Sequence, residues 1–288
     1  MPAFHETKVH GTRGFPYIVY PGRIPECRVS MPHHWHEEME IVYVTQGPLI
    51  VSVGNAEFVL RDRDIVLVHP QTIHSIRQCG ESSARYDTIL FRFSMLESGA
   101  DDTCRDKYLE PIYRRSLLMP EHLSADHPLH SALEPLILKL LVDPHHQRFH
   151  DELLIKSRVF EILYLVYPYC QPADKSTAYE DIIYEKLKRS LRYLEDNYAE
   201  DITLEKTAAV CNYSKGYYSK LFKQLTGVTF TQYLKNYRLE TAADRIRNEK
   251  TKISEIAVAC GFSNLSYFSR AFYEKFHTTP SDYRKSGI

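Results

Sequence analysis

The chain has 288 residues, a formal net charge of −1, 43% hydrophobic and 25% charged residues. That length suits two domains better than one, and the composition supplies both a core and a solvated surface, which excludes fibrous and mostly disordered classes. No window approaches the ~18 consecutive apolar residues of a membrane span, and MPAFHETKVH lacks the plan of a secretory leader, so the expectation is a cytoplasmic protein with no membrane partner.

The first third predicts strands. Glu40–Thr45, Leu49–Val53, Glu57–Leu60, Ile65–Val68 and Thr88–Phe93 are short runs rich in Val, Ile and Phe, separated by turn formers. Gly54-Asn55 is a two-residue hairpin signal. Short strands at this spacing favour a barrel or sandwich. After Met95 the period changes. Leu129, Leu133, Leu136, Ile137, Leu140 and Leu141 form one helical stripe, with a kink expected at Pro135. Leu153, Leu154, Phe160, Leu163, Tyr164 and Tyr167 mark a second. These helices could cover the barrel or pair with a second subunit. Polar, helix-breaking residues then predict a linker over 171–179, dividing a domain at 1–170 from one at 180–288. The six cysteines stand far apart with no C-x-x-C pair, which fits reduced thiols better than a zinc knuckle or a disulfide scaffold.

Charge divides with the chain. Residues 1–179 hold 18 Lys+Arg against 23 Asp+Glu, whereas 203–288 hold 14 against 7, a local excess of +7. A basic unit beside an acidic one is the footprint of a nucleic-acid binder carrying a separate module.

The basic unit contains an internal repeat. Leu204-x-x-Thr207-Ala208-x-x-Cys211-Asn212-Tyr213-Ser214 matches Ile253-x-x-Ile256-Ala257-x-x-Cys260-Gly261-Phe262-Ser263 at an offset of 49. After one inserted residue, Tyr217, Tyr218, Ser219, Lys220 and Phe222 match Tyr267, Phe268, Ser269, Arg270 and Phe272 at an offset of 50. Each copy reads as a short helix, a tight turn, a Ser N-cap and a second helix: a helix-turn-helix, twice. Tyr213, Tyr218, Phe222, Phe262, Phe268 and Phe272 are expected in the core. The opposite faces carry Lys215, Gly216, Ser219, Lys220 and Lys223 in the first copy, and Asn264, Leu265, Ser266, Ser269, Arg270 and Tyr273 in the second. Short polar residues permit approach to base edges, and cations reach guanine or phosphate, so double-stranded DNA is the expected partner. Lys220 and Arg270 rank first because they occupy matching positions. Lys206, Lys223 and Lys235 fit phosphate contacts or solvated charges, and Arg238 either pairs with a carboxylate or touches DNA.

Ile256 to Arg284 (IAVACGFSNLSYFSRAFYEKFHTTPSDYR) resembles the C-terminal signature of the AraC/XylS family of bacterial transcription regulators, and ITLEKTAAVCNYSKGYYSKLFKQLTG resembles that family's first helix-turn-helix. His277 stands where the family usually has glycine, and Gly216 where it commonly has a larger side chain. The resemblance implies two recognition helices in successive major grooves about 34 Å apart, spanned by a linker helix over Phe230–Arg247. It also implies dimerisation through the sensor, activation more often than repression, and contact with RNA polymerase.

His34-x-His36-x3-Glu40, followed by Asp64-Ile-Val-Leu-Val-His69-Pro70-x3-His74, resembles the two cupin motifs, with Arg28, Arg63 and Gln71 where glycines are usual. Even numbering puts 34, 36 and 40 on one strand face. In cupin enzymes three His and one Glu of this kind bind a divalent metal. No cofactor is certain: the cluster can be a metal site, a pocket for a small-molecule effector such as a carbohydrate, or packing. Tyr86 and Arg92, sharing one strand face, are further pocket candidates. Trp35, of opposite parity, is expected to pack; His33, His145 and His146 are expected at the surface. The fold expectation is α+β, a cupin-like barrel with flanking helices followed by an all-α domain. A regulator is the leading reading, and a metal-dependent cupin enzyme with a DNA-binding appendage is the alternative.

Overall fold

The computed structural model describes residue 6 and residues 9–24, 30–99, 101–141 and 150–286. The chain divides between Tyr179 and Glu180 into two compact units. Cys27, Arg28, His145 and His146 lie outside the described residues.

The first unit opens with β1 (Tyr17–Ile24), β2 (Ser30–His34), β3 (Met39–Gln46), β4 (Leu49–Val53), β5 (Ala56–Leu60), β6 (Ile65–Val68), β7 (His74–Gln78) and β8 (Ala84–Phe91). Next come α1 (Glu110–Tyr113), β9 (Leu117–Leu118), β10 (His122–Leu123), α2 (His130–Leu141), α3 (Asp151–Val166) and β11 (Gln171–Pro172). Antiparallel pairing builds a five-stranded sheet, β1-β8-β3-β6-β10, and a four-stranded sheet, β2-β7-β4-β5. Alternation along β3 sorts the side chains. Met39, Ile41 and Tyr43 join a core with residues of α2 and α3. Val42 and Val44 face the other way, into a cluster with Leu49, Val51, Val66 and Ile76 between the sheets. The fold is therefore a β-barrel flanked by helices, and Glu40 shares the parity of its interior face.

Among the described residues, β1, β2 and β7 escape the sequence pattern, as do the two-residue strands β9, β10 and β11. In β1, Pro21 and Gly22 break the strand signal. The strand lies at the edge of its sheet, where a missing N–H is tolerated. A Cβ at Gly22 would stand 2.2 Å from the Tyr86 ring, so only glycine fits there. Helix α2 continues through Pro135, whose absent N–H leaves only the carbonyl of the exposed Ser131 unserved. The stripe expected inward on α3 needs correction. Ile155, Val159, Ile162, Leu163 and Val166 are buried, whereas Leu153, Leu154, Phe160 and Tyr164 are exposed. The helix is apolar nearly all round, so the pattern cannot choose its inward face.

The predicted linker over 171–179 is also corrected. Gln171–Pro172 pairs with β9, and helix α4 (Lys175–Asn197) has already begun by residue 175. No Gly or Pro follows Pro172 until Gly216, so nothing stops the helix starting early.

The second unit is helical: the end of α4, then α5 (Leu204–Val210), α6 (Lys215–Thr226), α7 (Phe230–Asn248), α8 (Ile253–Ala259), α9 (Leu265–Phe276) and α10 (Pro280–Ser286). Phe222 packs against Phe230 and Tyr233 on the first half of α7. Leu239, Ala242, Ala243 and Ile246, on its second half, share a core with Ile256, Ala257, Phe268 and Phe272. One helix thus carries both copies of the repeat.

Candidate nucleic-acid interface and sensor site

Each helix-turn-helix is fixed by local chemistry. The turn after α5 places Asn212 at φ 56°, and the turn after α8 places Gly261 at φ 82°. Asparagine and glycine are the residues that enter this left-handed region most readily. A Cβ at Gly261 would stand 2.8 Å from the Arg238 guanidinium. Arg238 serves backbone carbonyls: its Nε donates to the Tyr198 carbonyl and its terminal nitrogen to that of Glu200, both at 2.7 Å. Ser214 caps α6, its hydroxyl accepting from the Tyr217 N–H. The second cap is Asn264, not Ser263; its side-chain oxygen accepts from Tyr267 N–H at 2.8 Å. The inserted residue falls before the cap, so position 264 corresponds to 214. Gly227 and His277 end α6 and α9 at φ 73° and 56°. The backbone at 277 keeps the glycine conformation, which costs a non-glycine residue about 1 kcal/mol.

Tyr218, Phe222, Phe268 and Phe272 are fully buried, which turns the opposite faces of α6 and α9 outward. Lys215, Gly216, Ser219, Lys220 and Lys223 are all exposed. On the second copy Asn264, Leu265, Ser266 and Arg270 are exposed and Ser269 is half-buried. Lys215 pairs with Glu205, which ties its charge to the helix before it. Tyr213, expected in the core, is half-exposed beneath the Lys186 ammonium. Tyr217 and Tyr267 stand exposed at matching positions beside the candidate readers. Reading tyrosine as core material hides them, although the repeat itself pairs them.

In the first unit four sequence candidates converge. His34 and His74 are direct partners on β2 and β7, with ring centroids 4.2 Å apart. Glu40 Oε2 lies 3.0 Å from His36 Nε2 and 2.9 Å from His74 Nε2. The four side chains are buried, and one ligand atom from each falls within 4.8 Å of the others. Burial alone would raise the Glu40 carboxyl, but the imidazoles of His74 and His36 outweigh it and hold the carboxyl well below the usual range. The Nδ1 atoms of His36 and His74 point at the Glu38 and Thr72 carbonyls, at 3.1 and 2.8 Å. That leaves Nε2 of both rings aimed at one spot. Three imidazoles and a carboxylate arranged in this way fit a divalent transition-metal ion, and they equally fit the hydroxyls of a polar ligand.

Tyr86 and Arg92 do not join this cluster. Tyr86 is opposite Val44 on β3, whereas Glu40 is opposite Leu90; four residues at about 3.3 Å separate them by about 13 Å along the strand. Arg92 stands past the end of β8, its Nε donating to Glu38 at 2.7 Å. It lines a separate cleft with Glu37, Phe93 and Tyr113. Arg63 and Gln71 keep the glycine-like backbone at φ 71° and 61° while their side chains tie neighbouring segments, to Glu134 and to Glu37 and Tyr113. His69 is held neutral, its pKa lowered to about 3 by burial and Arg115, and it accepts the Met119 N–H. Trp35 is fully buried, and His33 is half-buried rather than superficial.

The architecture defines a two-part regulator: a ligand-binding barrel joined to a duplicated DNA-binding motif. Residues 26–163 match the model of the AraC-like ligand binding domain, and residues 207–286 match a helix-turn-helix domain. The chain thus carries an AraC-like ligand binding domain and an AraC-type helix-turn-helix domain, and the curated relatives it resembles are AraC-family regulators. It is 26% identical over 297 residues to the HTH-type transcriptional activator RhaS of Escherichia coli, covering 97% of each chain. It is also 30% identical over 149 residues to the regulatory protein PocR of Salmonella typhimurium, a match that takes in 52% of this chain and 46% of PocR. Among solved structures it is similar to ToxT of Vibrio cholerae (15% identity, 93% of this chain and 97% of that one, TM-score 0.43). It is similar too to the C-terminal domain of AraT, a response regulator from Geobacillus stearothermophilus (32% identity, 35% of this chain and 84% of that one, TM-score 0.34). The two domain matches and the full-length match to RhaS indicate a transcription regulator and not the enzyme alternative. Among the described residues no helix is long and apolar enough to cross a membrane.

Proposed function

We propose that the protein is an activator that binds promoter DNA as a homodimer, recruits RNA polymerase there, and is switched by a small molecule held in the barrel. The observation that carries the DNA part is the pair of matched, exposed cations, Lys220 and Arg270. Both stand on capped helices, and among the described residues neither pairs with an acid. Helix α7, 19 residues long and therefore about 28 Å, is of the right order to hold two readers one DNA turn apart, about 34 Å. Activation is the reading favoured by RhaS, an activator by name.

For the effector, His34, His36, Glu40 and His74 offer a buried polar patch that suits a hydroxyl-rich or acidic small molecule, carbohydrates among them. A ligand there shifts the regulator only if it binds one sensor arrangement better than the other.

The testing experiment is genome-wide mapping of bound sites, followed by footprinting of the purified protein with and without small molecules implied by the neighbouring genes. Two protected patches about one helical turn apart, with protection that responds to one effector, are expected. Failure to prefer any duplex overturns the reading.

A further inference from the structure

We propose that the two helix-turn-helix copies divide the work on DNA: α9 reads base edges through Leu265, Ser266 and Arg270, while α6 grips the phosphate backbone through its lysines and reads little sequence. This rests on reading the protein as a DNA-binding regulator, and it makes the two halves of the binding site unequal.

The two helices present different chemistry at equivalent places. In α6, Gly216 and Lys220 stand two residues either side of the buried Tyr218; in α9, Ser266 and Arg270 stand likewise about the buried Phe268. At about 100° per residue, each lies about 160° round the helix from that core ring. These are the positions that point at the groove floor when the helix lies in DNA. The second copy fills them with a hydroxyl and a guanidinium. The first offers Lys220 alone, because Gly216 has no side chain. Packing does not demand that glycine: it is exposed, and a Cβ there would meet nothing within 4 Å. A bare position at the centre of the face leaves a base edge without a partner.

The first helical position differs in the same sense. Lys215 of α6 is paired with Glu205, whereas its counterpart Leu265 is apolar and 48% exposed. The N-terminal residues of a recognition helix are those nearest the bases, and an apolar side chain there suits the thymine methyl group. The cations differ too. Arg270 is a planar fork whose donors match guanine O6 and N7, whereas a lysine is a compact charge on a flexible stem. Helix α6 holds three lysines and no acid. Helix α9 sets Arg270 and Lys275 against Glu274, and Lys275 is tied to Glu240 of α7 at 2.7 Å. Attraction between lysines and phosphates carries affinity and position without sequence information.

Full-length protein selects duplexes from a random pool, and the selected site is then substituted one base pair at a time in competition binding. Pairs facing α9 are expected to cost about 5–150-fold each when changed, and pairs facing α6 less than about threefold. Arg270→Ala, by losing discrimination at one pair, marks the half that α9 occupies. Lys220→Ala is expected to weaken selected and scrambled duplexes by the same factor. Gly216→Gln puts an amide at an open helical position, and is expected to add a preference for adenine in the α6 half. Equal penalties in the two halves, or larger ones in the α6 half, overturn the division. So does relaxed discrimination at a base pair in Lys220→Ala, or an unchanged base profile in Gly216→Gln. In each of these cases the regulator reading stands; failure to prefer any duplex overturns both.

Discussion

At the scale of single residues, the repeat singles out Arg270 and Lys223 for different tasks. Arg270 stands where a base edge would be read, and Lys223 one helical turn past Ser219, where a phosphate contact is expected. Arg270→Ala should lose about 1–3 kcal/mol of discrimination between cognate and scrambled duplexes in competition binding; retained discrimination would misplace the second reader. Gly261 illustrates a purely steric demand. Its φ of 82° and the nearby Arg238 guanidinium leave no room for Cβ, so Gly261→Ala should destabilise the helical unit by about 1–3 kcal/mol in urea unfolding. Glu195 is a titration test. Burial, with Asp196 beside it, raises its carboxyl to about 7 from an ordinary 4.5. The folded chain thus keeps a proton that the unfolded chain releases near pH 4.5, so stability falls as pH rises from there towards 7. Glu195→Gln should flatten that part of the melting-temperature profile, and an unchanged slope would assign it elsewhere. The His34, His36, Glu40 and His74 spacing is legible in sequence because strand alternation decides which face a residue takes. Tyr86 and Arg92 pass the same parity test and still miss the cluster, because alternation fixes a side and says nothing about height along the strand.

At the scale of elements, α3 carries the clearest unused surface. Leu153, Phe160 and Tyr164 line its outer face, at 72%, 37% and 76% exposure, with Ser157 completing spacings of four, three and four. That is the spacing of a helix able to meet another helix, and it is the face on which the proposed homodimer can be tested. Leu153→Asp combined with Tyr164→Asp should leave the fold intact, since exposed positions rarely cost more than about 0.5 kcal/mol, and convert dimer to monomer in sedimentation. A dimer that survives both charges would put the interface elsewhere. The two recognition helices show how much capping chemistry is local. Ser214 and Asn264 perform the same task at an offset of 50, although simple extension of the first offset points to Ser263. One inserted residue in a turn is enough to move the cap.

At the scale of the whole molecule, the decisive property is charge placement: a nearly neutral chain concentrates +7 on residues 203–288. DNA affinity should therefore fall steeply with salt, and Lys223→Ala should reduce the slope of log K against log salt by about one while weakening cognate and scrambled DNA alike. An unchanged slope would make Lys223 a solvated charge and nothing more.

What the amino-acid order determined by itself was whatever repeats or alternates over short range: two helix-turn-helix copies with a tight turn in each, the Ser214 cap, and a set of strands bearing His and Glu on one face. Hydrophobic period and turn chemistry act between near neighbours, so they are written in near neighbours. Only the folded chain decided which imidazoles meet, that Arg238 serves backbone carbonyls, and which side of an all-round apolar α3 stays bare. Those outcomes depend on strand register and on helix packing, which no local pattern encodes.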